Sequence, residues 1–67
     1  MNNDHGYRLK VSGDDAAYLS LPLATLQKRV RVARSVDVTG SIEGYQGPDI
    51  RVDLDEHGRP LGIEIVD

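Results

Sequence analysis

The residues with the most obvious chemical potential lie between positions 53 and 64, where the sequence matches a calcium-loop pattern. Asp53, Asp55, His57, Gly58 and Glu64 occupy positions 1, 3, 5, 6 and 12 of the pattern D-x-[DN]-x-[DN]-G-x5-E. Calcium takes oxygen ligands, and the histidine at the fifth position offers none from its side chain. We therefore predict that these residues are charged strand positions and a turn, with no bound metal.

The same stretch alternates apolar and polar residues, which predicts a β-hairpin. Apolar side chains recur at every second position from Ile50 to Leu54 and again from Leu61 to Ile65, as in half-buried strands. A slip of one residue would turn one apolar set to solvent, so facing apolar positions define the register. The predicted register pairs Leu54 with Leu61, Val52 with Ile63, and Ile50 with Ile65.

That register leaves an even number of loop residues, and its two-residue solution is His57-Gly58. Such a loop prefers a type I′ turn with positive φ at both residues, which glycine adopts freely and histidine tolerates better than most residues. We therefore predict a structural turn at His57 and Gly58. Two opposite-charge pairs then face each other on the outer surface, Glu56 with Arg59 and Arg51 with Glu64.

Three further strands are predicted before this hairpin. Residues 7–21 alternate on either side of turn residues at 12–15, which predicts a first hairpin, and Pro22 ends its second strand because proline has no N–H to donate. The valines between Val30 and Val38 predict a third strand, interrupted only by Arg34. We therefore expect an all-β fold, a small antiparallel meander of about five strands in sequential order that ends in the hairpin.

The remaining segments carry weaker patterns. Residues 22–29 fit either one helical turn or an irregular connection, because the stretch is too short to decide. The glycines of residues 40–48 predict a loop. The polar residues 1–6 predict a frayed end to a single domain that spans 1–67.

The strongest charge asymmetry is the basic stretch from Lys28 to Arg34. Arg29 and Arg31 alternate with valines and so are predicted to share one strand face, whereas Arg34 interrupts the valine face. Such cations can simply protect an edge strand from aggregation. They are also the candidate partner-binding residues Arg29, Arg31 and Arg34, for an acidic protein or, as the alternative, for nucleic acid.

Other catalytic and metal chemistries find little support. A zinc site needs ligands that converge from several elements, whereas His5 lies in the polar N-terminal stretch and His57 at a hairpin tip. Asp14 and Asp15 follow a glycine in a turn, where a solvated role is expected rather than acid–base catalysis. The serines lack a nucleophile-elbow context. We predict no catalytic residues, no cofactor and no enzymatic activity.

Composition points to a small soluble domain that needs additional burial. The chain has 67 residues, a net charge of -3, no cysteine, no tryptophan and no phenylalanine. A single core of this size supplies only about 3–5 kcal/mol without disulfides or metals. The acidic balance argues against general nucleic-acid binding. With no 18-residue apolar run, we expect no membrane contact, and the lack of cysteine fits a cytoplasmic location.

Three segments carry a family resemblance: DAAYLSL at 15–21, VARSVDV at 32–38 and VDLDEHGRPLGIEI at 52–65. Together they resemble the bacterial and phage proteins grouped as domain of unknown function 2283, whose pattern runs close to D-x-D-x-x-G-x-x-x-G-I-E-I in the last segment. The chain departs from the family at 40–48, which is longer and richer in glycine. The resemblance implies a small β-rich protein, without catalytic residues to transfer, that can lie beside a second short gene in a toxin–antitoxin-like arrangement.

These observations favour binding over catalysis. A sheet of this size has one apolar face and no long helix to cover it, so another chain is expected to do so. We therefore expect a protein-interaction module that forms a homodimer or binds a co-expressed, antitoxin-like partner. The alternative is a nucleic-acid-associated module that uses residues 28–34.

Overall fold

The computed structural model describes residues 5–27 and 29–67. These residues form five strands, one short helix and one 3-10 turn. In chain order they are β1 (Arg8–Ser12), β2 (Ala16–Ser20), α1 (Pro22–Leu26), β3 (Arg34–Asp37), the 3-10 turn (Thr39–Ser41), β4 (Asp49–Leu54) and β5 (Pro60–Val66).

The five strands form one antiparallel sheet, which confirms the predicted all-β class. Their order is β1-β2-β5-β4-β3, so the predicted sequential meander is wrong at one junction, where β2 pairs with β5 instead of β3. The difference has a physical reason. β5 is long and aliphatic and gains ladder hydrogen bonds on both sides in the centre, whereas β3 is short, exposed and charged at both ends, as suits an edge.

The third strand is shorter than its valine pattern predicted. β3 begins only at Arg34, and Val30 and Val32 lie outside any strand. The chain nevertheless follows β4 beyond both ends of β3, because the Ala33 N–H donates to Leu54 O at 2.8 Å and the Val38 N–H donates to Ile50 O at 3.0 Å. The prediction that Arg29 and Arg31 share a strand face is therefore wrong.

The connection after β3 is a loop, as its glycines predicted, and it starts at a side-chain hydrogen bond. Asp37 Oδ1 accepts the Thr39 N–H at 3.0 Å and the Thr39 hydroxyl at 2.7 Å. These bonds to the carboxylate lower the pKa of Asp37. Farther along, the Tyr45 hydroxyl donates to Pro48 O at 2.7 Å and closes the loop onto the start of β4.

Residues 22–29 were predicted to form either one helical turn or an irregular connection, and the first part of the segment forms helix α1. Pro22 stands at the start of the helix, where its missing N–H costs nothing, and α1 contacts β5. The Thr25 hydroxyl donates to the carbonyl of Gly6. Of the stretch predicted to be frayed, residues 1–4 lie outside the described residues. Residues 5 and 6 form a turn that this bond joins to α1.

The register divides the sheet into a polar face and an apolar face. The apolar face consists of alternate residues from all five strands: Leu9, Val11, Ala17, Leu19, Val36, Ile50, Val52, Leu54, Ile63 and Ile65, with Arg34 as its one cation. In the described residues, Leu61 is the one apolar side chain that is buried. The molecule measures 36 × 31 × 17 Å, a slab about one sheet thick.

Candidate functional site

The β4–β5 hairpin follows the predicted register over most of its length. Ile50 faces Ile65 and Val52 faces Ile63, and the charge pair of Arg51 with Glu64 is confirmed as a cross-strand neighbour pair. Near the turn the register shifts by one residue, because Leu54 pairs with Pro60 and not with Leu61. Leu61 is the extra residue of this bulge and is only 3% exposed.

The turn itself differs from the prediction. The Asp55 N–H donates to Arg59 O at 2.9 Å and the Gly58 N–H donates to Asp55 O at 3.1 Å, which leaves an odd loop of three residues between Asp55 and Arg59. Gly58 has a φ of +80°, but His57 is not in the positive-φ region. The structural turn therefore lies at His57 and Gly58 as predicted, but it is a three-residue loop with one left-handed glycine, not a type I′ turn.

The side chain of Asp55 explains why the odd loop is preferred. Its Oδ1 accepts the N–H groups of His57 at 2.9 Å and Arg59 at 2.8 Å, and its Oδ2 accepts Nε of Arg59 at 2.8 Å. Burial of Asp55, which is 4% exposed, raises its pKa, but these hydrogen bonds outweigh burial and the net pKa is lowered. The predicted pair of Glu56 with Arg59 is wrong, since Arg59 binds Asp55 and Glu56 lies 3.5 Å from His57 Nε2.

On the polar face, a hydrogen-bonded row crosses four strands. Asp53 accepts the Tyr18 hydroxyl at Oδ2, at 2.7 Å, and the Ser35 hydroxyl at Oδ1, at 2.5 Å. Tyr18 reaches Asp53 by lying across Gly62, where an added Cβ would stand 2.2 Å from the tyrosine oxygen. Sequence reasoning missed this row. Its signal was Gly62 inside a strand pattern, which marks a close approach by another group.

The environment of Tyr18 makes its hydroxyl a poor acid. Burial raises its pKa from 10.0 to about 12, with the hydrogen bond to Asp53 and the charges of Asp53 and Glu64 acting in the same direction. A tyrosine that keeps its proton so firmly is suited to donate a stable hydrogen bond. The row therefore ties β2, β4 and β3 together.

The residues of the calcium pattern thus have other partners. The carboxylate oxygens of Asp53 and Asp55 accept hydrogen bonds from within the fold, and Glu64 lies in a strand opposite Arg51. In residues 5–27 and 29–67 no three acidic, histidine or cysteine side chains are grouped as metal ligands. Asp14, considered above as an acid or base, is exposed in the β1–β2 turn.

The three candidate partner-binding arginines fall into two places. Arg29 and Arg31 line a cleft of about 170 Å³ beside the hairpin tip, together with Gln27, Val30, Asp55, Glu56, His57 and Arg59. Arg34 stands instead on the apolar face of β3, opposite Leu54. All three arginines are exposed, and no acidic side chain in the described part of the chain lies within ion-pair distance of them.

A second depression lies at the opposite end of the sheet. It measures about 260 Å³ and combines apolar-face residues with carboxylates: Val11, Ala17, Ile65 and Pro48, with Ala16, Asp14, Asp15 and Asp67. The apolar face is most exposed at its β1 edge. Leu9 is 67% exposed and Val11 63%, although both are aliphatic strand residues.

No helix among the described residues has the length and apolar character needed to cross a membrane.

The fold and these surfaces define a class of small single-sheet β protein. The family model for a protein of unknown function, DUF2283, matches residues 12–67, and the chain belongs to that family. This confirms the resemblance drawn from the three segments at 15–21, 32–38 and 52–65. Comparisons with curated proteins and with solved structures give no match.

Proposed function

We propose that this protein is a non-enzymatic interaction module whose apolar face is covered by a second copy of the same chain. The observation that carries the proposal is that face itself. Ten aliphatic positions line it, and none of them is buried within the described chain. An amphipathic sheet gains most of its stability by burying its apolar side, so a one-layer slab lacks the layer that would cover it.

The exposed area supports the need for a second chain. The molecule exposes 5220 Å², whereas a compact monomer of 7.4 kDa is expected to expose about 4,200 Å². The radius of gyration, 12.9 Å, likewise exceeds the value of about 11 Å expected for 67 compact residues.

A second copy fits this face better than an unspecified protein does. Two identical flat aliphatic faces match each other in chemistry and size, and two-fold dimers are the commonest assemblies of soluble proteins. Stacked sheets lie about 10 Å apart, with interdigitated side chains between them. A co-expressed partner, including one in an antitoxin-like pair, is the competing occupant, and a cytoplasmic location belongs to the same proposal.

Sedimentation of the purified chain at micromolar concentration tests the proposal. We expect a dimer for the native sequence and a monomer for Leu9→Asp, because Leu9 lies on the apolar face and is already exposed. Ser12→Asp is the matched control, since it adds the same charge to the same strand on the polar face. A native chain that is a folded monomer would contradict the proposal, and a gain in stability only with a co-expressed protein would assign the face to that partner.

Nucleic-acid binding through residues 28–34 is the alternative function. Its support is the group of exposed arginines, Arg29 and Arg31 at the cleft and Arg34 nearby on β3. Binding to phosphates weakens steeply as salt rises, whereas burial of an aliphatic face does not. A titration with labelled single- and double-stranded DNA at low and high salt separates the two functions. Arg29→Gln/Arg31→Gln would abolish binding if the alternative holds.

A further inference from the structure

The sheet is electrically polarised along its strands. One end is formed by the β1–β2 turn, the loop between β3 and β4, and the C-terminal end of β5. Its segments 12–16, 38–50 and 66–67 contain no lysine or arginine. They contain five acidic residues, Asp14, Asp15, Glu43, Asp49 and Asp67. We call this the acidic end.

The opposite end carries the reverse charge. It is formed by the start of β1, the segment that leads into β3, and the β4–β5 hairpin tip. Among the described residues there, five arginines stand against two acids: Arg8, Arg29, Arg31, Arg34 and Arg59, with Asp55 and Glu56. Asp55 is already bound by Arg59 and the turn. We call this the basic end, and its net charge is positive.

Charge also reaches the apolar face at both ends. At the basic end Arg34 stands on that face, with no acidic partner within ion-pair distance in the described chain. At the acidic end the carboxyl-bearing residues Asp14, Asp15 and Asp67 border a depression that Val11 and Ile65 also line. An apolar layer over this face would leave the guanidinium of Arg34 buried without a counter-charge, which is unfavourable.

We propose that the two copies associate face to face with their strands antiparallel, so that the acidic end of each lies over the basic end of the other. This orientation rests on the proposed function, since it requires the dimer. The two-fold axis then runs across the strands, so that β3 lies over β3 and Arg34 of each copy is set over the acidic end of the other beside the β3–β4 loop, twice by symmetry. The parallel arrangement sets like ends together, with the arginines of both basic ends in opposition. Charges at an interface rim select orientation in this way more than they add affinity.

Charge reversal combined with sedimentation tests the orientation. One variant, Arg29→Glu/Arg31→Glu/Arg34→Glu, makes the basic end negative, and the other, Glu43→Lys/Asp49→Lys/Asp67→Lys, makes the acidic end positive. Each alone should dimerise about tenfold or more weakly than the native chain, because both symmetric contacts become repulsive. A one-to-one mixture should recover native affinity as a heterodimer. Lys10→Glu, on the polar face and midway along the edge strand β1, is the control and should leave dimerisation unchanged.

Salt gives a second readout without any substitution. Raising NaCl from about 0.1 M to about 1 M shortens the Debye length from about 10 Å to about 3 Å, so the antiparallel dimer should weaken and a parallel dimer should tighten. Variants that dimerise as well as the native chain, or a native dimer that tightens with salt, would overturn the orientation while leaving the dimer itself established. A native chain that stays monomeric at every concentration overturns both the orientation and the dimer. Far-UV circular dichroism of each variant confirms that it is folded.

Discussion

A tyrosine lying over a glycine is the most constrained contact of the polar face. Tyr18 crosses Gly62 to donate to Asp53, and the space above Gly62 is filled by the ring and its hydroxyl. The backbone of Gly62 is not in the positive-φ region. Its side chain is therefore absent for reasons of room and not of backbone conformation.

Adding one methyl group at Gly62 should be costly only while Tyr18 is present. We expect Gly62→Ala to lower the free energy of unfolding by about 1–3 kcal/mol, because the tyrosine must move and give up its bond to Asp53. In a Tyr18→Ala background the same substitution should cost much less. Urea denaturation of the four proteins at one concentration gives the coupling energy. Equal costs in both backgrounds would mean that the ring is free to move away.

The raised pKa of Tyr18 predicts sensitivity to alkali. The folded state holds this proton more firmly than the unfolded state, so its contribution to stability is complete below pH 10 and is lost as pH rises through the folded pKa of about 12. We expect Tyr18→Phe to flatten the loss of stability between these pH values. Urea denaturation of the native chain and of Tyr18→Phe at a series of pH values between these limits checks the prediction. An equal loss of stability in both proteins would argue against the hydrogen bond to Asp53.

At the scale of the element, the hairpin shows how far alternation predicts structure. Period two correctly paired Ile50 with Ile65 and Val52 with Ile63, because burial of one face leaves a single register in mid-strand. It failed at the turn, where Asp55 binds two backbone N–H groups and Arg59 and so favours a three-residue loop. Local side-chain bonds of this kind have no periodicity, and the bulge at Leu61 absorbs the extra residue.

The two turn residues should respond differently to a β-branched substitution. Gly58→Val should destabilise by more than about 1 kcal/mol, because valine at a φ of +80° is strained. His57→Val should change stability by no more than about 0.5 kcal/mol, since His57 is exposed and contributes only its N–H to the turn. Chemical denaturation of both variants checks the pair. Equal losses of stability in the two variants would instead support the predicted two-residue turn.

Calcium should leave the hairpin unchanged. The carboxylates of Asp53 and Asp55 hold hydroxyl and N–H groups within the fold, and an ion would have to displace those bonds. Thermal melts with and without millimolar calcium, and likewise zinc, should coincide. A rise of several degrees, which a tightly bound ion produces by mass action, would show that the motif match reflects a real site.

The order of the strands was harder to predict than their number. Sequential hairpins are the default, and three of the four neighbouring pairs in the sheet obey it. The fourth, β2 with β5, joins residues 42 to 50 positions apart, from Ser20–Gly62 to Ala16–Val66. Nothing in the alternation of either strand specifies so distant a neighbour. Arg29 and Arg31 lie in the connection that leads from this half of the sheet to β3, so their positions were mispredicted for the same reason.

At the scale of the whole molecule, the stability of a single sheet with an exposed apolar face is expected to depend on protein concentration. Half-buried Leu19, Val52 and Ile63 form the centre of a face that closes only against another layer. We expect the melting temperature to rise steadily over about a hundredfold range of protein concentration, because the dimer is favoured by mass action. Calorimetry on Leu9→Asp should show a lower temperature without that dependence. A melting temperature of the native chain that does not change with protein concentration would indicate that the monomer is stable without a partner.

The pairing of β2 with β5 also divides the chain into two pieces of different kinds. Residues before the connection at 27–33 make β1, β2 and α1, and those after it make β3, β4 and β5, each from neighbours close in sequence. Such local pieces form quickly, whereas the seam between them must close a long loop first. We therefore expect the seam to form in the slow step of folding. Two peptides cut between residues 29 and 33 should reassemble along β2 and β5, with an affinity that reports this seam together with the contact of α1 with β5.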